Sequence, residues 1–129
     1  MKKELFIFDI VLLIFIASLN QIAISFHLYW LVWWFDILMH FLGGLWVGLS
    51  ALWFVYFSDF LKFFEYNKRN IFLISLITTI VVGLGWEVFE FIIEVDFSNG
   101  YWKDTIQDLI MDTIGAITAS IILINFYKK

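Results

Sequence analysis

Apolar positions along the chain fall into four long runs, at about residues 5–24, 36–57, 71–94 and 104–126. Each is about 20 residues or longer, and at ~1.5 Å per residue a helix of that length crosses the ~30 Å hydrocarbon core of a bilayer. Proline is absent, which suits uninterrupted helices. The pattern predicts an all-α, polytopic integral membrane protein, a bundle of four transmembrane helices with short loops. No polar linker is long enough to separate two units, so residues 1–129 read as a single transmembrane four-helix domain.

The polar segments set the boundaries. Met1 to Glu4 is a short charged start, and no small-x-small cleavage site precedes Asn20-Gln21, so the first run reads as a retained helix. Asp9, in its first turns, is expected to snorkel to the interface. Between Ser25 and Phe35 lie His27, Tyr29, Trp30, Trp33 and Trp34, an aromatic density suited to the membrane–water interface. A turn is expected near Ser25–His27, with His27 at headgroup level. Ser58 to Asn70 alternates charged residues with Phe and Tyr, as an interfacial amphipathic connection does. Asn99-Gly100 marks the turn between the third and fourth runs.

Composition supports the bilayer. Of 129 residues 63% are apolar and 22% aromatic, with a mean hydropathy of +0.92. A soluble domain of this size has too little interior to hide that surface. With no cysteine, disulfides and thiolate metal sites are excluded. The eight basic residues sit in small clusters with no basic, aromatic-lined groove, so nucleic acid is not an expected partner; membrane lipids are. Four spans place both termini on one side together with Lys2, Lys3, Lys62, Lys68, Arg69, Lys128 and Lys129, leaving only Lys103 opposite. The positive-inside rule then predicts a multi-pass plasma (inner) membrane protein with both termini cytoplasmic.

The acids go the other way. Glu87, Glu90 and Glu94 end the third run and fall within about 60° of one another on a helix. Asp104, Asp108 and Asp112 open the fourth run as one stripe, drifting ~40° per step. Asp36 and His40 open the second, with Gly43 and Val47 continuing their face. All lie toward the outer leaflet. An aspartate at the centre of a membrane helix costs about 2.5–3.5 kcal/mol, and several together repel one another, so something must compensate. Carboxylates with a neutral imidazole suit a divalent ion, Zn, Mn or Fe, and His40, Glu87, Glu90, Asp108 and Asp112 are the candidate ligands. Asp36, Lys103 and Asp104 are further site candidates. Such an ion would support hydrolysis or transfer on a lipid or envelope precursor by activating water or polarising a phosphoryl or carbonyl oxygen; no Ser or Cys nucleophile stands near. The alternative is a metal-free, non-enzymatic site that relays protons or binds an envelope ligand. A third reading is structural: acids at helix N-termini favour the helix dipole, which accounts for Asp104 but not for Glu87, Glu90 or Asp112.

Three motifs, DxxxHxxGG at Asp36–Gly44, GWExxE at Gly85–Glu90 and DxxxDxxxDxxG at Asp104–Gly115, resemble those of the YjdF-like family of small bacterial inner-membrane proteins. More distantly they are similar to VanZ-like proteins associated with glycopeptide resistance. The resemblance covers roughly residues 36–119. It implies a bacterial plasma-membrane protein, with a VanZ-like resistance-type role as one form of the non-enzymatic reading.

Overall fold

The computed structural model describes residues 2–58, 61, 64–93 and 101–127. They form five helices and no strand: α1 (Lys2–Ser25), α2 (Leu28–Leu31), α3 (Phe35–Phe57), α4 (Lys68–Ile92) and α5 (Tyr101–Tyr127). All but α2 are long and apolar enough to cross a membrane. Glu94, the Asn99-Gly100 turn, Lys62 and the Lys128-Lys129 pair lie outside the described residues.

Local chemistry sets the helix ends. His27 leaves α1 in the left-handed region (φ 55°), the only non-glycine there among the described residues, and this reverses the chain into the single turn of α2. The Tyr29 hydroxyl donates to Asn20 Oδ1 at 2.7 Å and its ring meets Phe35 edge-on, tying the turn to both flanking helices. His27 is exposed. Helix α4 starts three residues earlier than the apolar pattern suggests. Asn67, in extended backbone, caps it by accepting from the Asn70 N–H at 2.9 Å.

The helices alternate in direction, with α3 and α5 parallel to each other. The start of α1 meets the end of α3, where Trp53 Nε1 donates to the Lys2 carbonyl and Phe6 stacks on Trp53 at 4.8 Å. The α3–α5 contact is the most extensive and α4 packs against both; α1 touches α3 and α2 alone among the described helices. Three helices therefore form the body of the bundle and α1 leans on its side.

Apolar and polar interiors separate along the axis. Leu5, Leu12, Leu45, Leu49, Leu52, Ile71, Ala119 and Leu123 form one buried cluster toward the starts of α1 and α4. Buried Glu87, Thr105, Asp108 and Asp112 occupy the other end, where α3 and α5 begin and α4 finishes. Outward faces carry Val81, Leu84, Val88, Phe91, Ile106 and Ile110, all exposed, as lipid contact demands. Asp9 does not snorkel. It is 7% exposed and takes a 2.8 Å hydrogen bond from Ser50 on α3, because a carboxylate inside an apolar helix is better satisfied by a hydroxyl on the neighbour it already packs against.

Candidate functional site

The site is built on a close crossing of α3 and α5. On α3, Asp36, His40, Gly44 and Gly48 recur every four residues, which keeps them on one slowly turning face. On α5, Thr105, Asp108, Asp112, Ala116 and Ala119 do the same at steps of three and four. A Cβ at Gly44 would run into the backbone of Asp112, and one at Gly115 into the backbone of Phe41 and Leu45. With hydrogens alone at these two positions the backbones touch, and His40, one turn from Gly44, is delivered onto the aspartates. Gly44 rather than Gly43 makes this contact; a Cβ at Gly43 would meet nothing within 4 Å.

His40 lies at the centre, its side chain 11% exposed. Its Nε2 faces Asp108 Oδ2 at 3.7 Å and Asp36 Oδ1 at 3.9 Å. On the opposite side of the ring, Nδ1 lies 3.4 Å from Asp112 Oδ1. One donor atom from each of Asp36, His40 and Asp108 lies within 4.8 Å of the other two, the one grouping of at least three potential metal-ligating residues among the described residues. At ~1.5 Å per residue His40 sits about 8 Å, and Asp108 about 10 Å, inward from the ends of their helices.

Helix α4 closes the site from the third side. Ser75, Thr79, Gly83 and Glu87 form a buried stripe at four-residue spacing. Gly83 leaves room for Asp112: a Cβ there would lie 2.6 Å from Oδ2. Glu87, 5% exposed, accepts a 2.6 Å hydrogen bond from the Thr105 hydroxyl. Glu87 is not among the ion pairs of His40 in the described residues, but it lies within electrostatic reach of Asp36 and Asp108. Glu90 is half-buried and lies within electrostatic reach of His40, Asp36 and Glu87. Lys103 and Asp104 are exposed at the start of α5, Asp104 close enough to act on the charges of Asp36 and Asp108.

Two residues escape the sequence pattern. Thr105 rather than Asp104 begins the buried stripe of α5; its position three before Asp108 and seven before Asp112 carries the signal. Gly48 extends the α3 crossing by another turn, where a Cβ would meet Ser75 Oγ at 2.5 Å and Ala119 Cβ at 2.9 Å.

A bundle of spanning helices with a His/Asp cluster buried at one end defines a multi-pass membrane protein with an internal polar site. The chain belongs to the family described as predicted membrane protein (DUF2238), whose match covers residues 3–129. Comparison with curated proteins and with solved structures gives no match.

Proposed function

We propose that the cluster around His40 is a divalent-cation site and that the protein uses it for metal-assisted hydrolysis or transfer on a lipid or envelope precursor. The observation that carries this is the division of the imidazole. Nε2 faces two carboxylates from two helices, while Nδ1 is held by a third, Asp112. A metal-binding histidine characteristically donates its other ring N–H to a carboxylate, which fixes the tautomer and raises the basicity of the ligating nitrogen. Asp36, His40 and Asp108 are thus the ligands in this reading, Asp112 orients His40, and Glu87 and Glu90 stand beside the ion. Two ligand atoms each ~2.1 Å from an ion at angles of 109–120° are about 3.4–3.6 Å apart, so the carboxylates, at 3.7 and 3.9 Å from His40 Nε2, would draw in slightly around an ion. Oxygen and imidazole donors suit Zn, Mn or Fe.

The chemistry would follow from an ion held about 8–10 Å inward from the starts of α3 and α5. A bound ion would polarise a phosphoryl or carbonyl oxygen and acidify a water molecule. In that hydrolysis water would displace the ester's leaving alcohol, and Glu90, within electrostatic reach of His40, would be available to carry the proton from one to the other. The YjdF-like motifs support an envelope setting. The segregation of seven of eight basic residues supports a plasma-membrane orientation with cytoplasmic termini and a site open to the outer leaflet.

A second reading draws on the same distances. A protonated His40 would be satisfied by Asp36, Asp108 and Asp112 with no metal, making the site a proton relay or a pocket for an envelope ligand, including a VanZ-like resistance-type role. Elemental analysis separates the two. Purified protein should contain stoichiometric Zn, Mn or Fe, chelation should lower its thermal midpoint, and His40→Ala should abolish both. Metal-free protein indifferent to chelator and to added ions would transfer the site to the relay or binding reading.

A further inference from the structure

We infer that the bundle holds a second divalent-cation position between Glu87 of α4 and Asp108 of α5, with Asp108 bridging two ions. The inference rests on the cation site proposed above and adds a binuclear centre to it.

The geometry starts from two of the three buried carboxylate oxygens that lack a hydrogen-bond partner among the described residues, the third being Asp9 Oδ1 toward the other end of the bundle. Glu87 Oε1 and Asp108 Oδ1 are buried and have no hydrogen-bond partner, in residues only 5% and 2% exposed. Glu87 Oε2 accepts from the Thr105 hydroxyl at 2.6 Å, and Asp108 Oδ2 faces His40 Nε2 at 3.7 Å. Each carboxylate thus has one oxygen turned to a neighbour and one left over. Thr105 and Asp108 are three residues apart on one face of α5, so the bond from Thr105 brings Glu87 alongside Asp108. A buried carboxylate oxygen without donor or cation is strongly unfavourable, and supplying a cation is one of the few remedies.

Charge points the same way. Asp36, Glu87, Glu90, Asp104, Asp108 and Asp112 interact within one cluster around a single histidine. A second divalent ion would offset charge that one ion on Asp36, His40 and Asp108 leaves over. The second position offers oxygen donors alone, which selects a hard ion such as Mn or Mg that completes its shell with water. A bridging carboxylate places two ions ~3.5–4 Å apart, the spacing at which one stabilises the attacking oxygen and the other the leaving oxygen.

The test uses the whole chain purified in detergent, loaded with Mn(II) and freed of excess by gel filtration. Two Mn per chain and the EPR signature of a spin-coupled pair are expected. Glu87→Gln should retain one Mn with an uncoupled signal. Thr105→Val, which keeps the charge but releases Glu87, should weaken the second ion ~10-fold and leave the first unchanged, as loss of a supporting hydrogen bond to a ligand does; it decides the matter if Glu87→Gln does not fold. One Mn in the native chain, two in Glu87→Gln, or unaltered affinities in Thr105→Val would overturn the bridging arrangement while leaving the first site standing. No Mn in the native chain would overturn the bridging arrangement, and the absence of Zn, Mn and Fe alike would overturn the first site as well.

Discussion

At the scale of single residues, the proposed cation site depends on side chains that would not touch the ion. Asp112 holds His40 Nδ1 at 3.4 Å, and Gly83 gives Asp112 its space. Replacing a carboxylate that orients a metal-binding histidine typically weakens metal affinity by 10–100-fold. Asp112→Asn, which preserves shape but removes the charge, should therefore bind Zn or Mn about 10–100-fold more weakly by calorimetry, with the fold intact. Gly83→Ala approaches the same interaction from α4. The added methyl would displace Asp112 Oδ2, so affinity should fall although alanine is the better helix former by about 0.5–1 kcal/mol. Gly85, two residues on, supplies the control, since a Cβ there would meet nothing within 4 Å. Gly85→Ala should leave binding unchanged and stability equal or slightly higher. Equal binding by the Gly83 and Gly85 variants would show that Asp112 does not set the affinity.

At the scale of helices, the crossing of α3 and α5 holds the site together. Gly44→Ala and Gly115→Ala should each destabilise the protein by about 1–3 kcal/mol or more, since each methyl meets main chain that cannot rotate away. Gly43→Ala should not. Thermal midpoints of the three variants in one detergent make the comparison. The same glycines show what can be read from the chain and what cannot. Four spanning helices are legible because hydropathy over ~20 residues is a local, additive signal. The ionisable residues deep in such a run, His40, Glu87, Asp108 and Asp112, stand out because charge there must be compensated. The rotational setting of each helix is not. Gly43 and Gly44 both lie within a turn of His40, and only the approach of Asp112 on α5, far along the chain, selects Gly44. Asp104 and Thr105 are adjacent, and the bond to Glu87 turns Thr105 inward while Asp104 stays exposed. Asp9 departs from its expected place at the interface for the same reason, its partner Ser50 being 41 residues distant. The early start of α4 is a different matter: the Asn67 cap is local, but it sits in a polar stretch that the apolar pattern passes over.

At the scale of the whole molecule, the interior is divided across the membrane. An apolar cluster fills one end, from Leu5 and Ile71 to Leu123, and the ionisable site fills the other. The apolar end is also where α1 and α4 begin, and so where Lys2, Lys3, Lys68 and Arg69 lie. The site lies toward one end of the bundle and the leucine cluster toward the other, so orientation decides which side of the bilayer lies nearer to it. Positive residues favour the cytoplasmic face of a plasma membrane. A reporter fused after Lys129 should therefore read cytoplasmic, and one inserted at Asn99-Gly100 should read external. The insertion lies between α4 and α5 at the site end, so its location is also the location of the site. If the Asn99-Gly100 reporter reads cytoplasmic and the Lys129 fusion external, the site faces the cytoplasm. An outer-leaflet lipid or envelope precursor would then be excluded as its ligand, although the geometry around His40 would be unchanged.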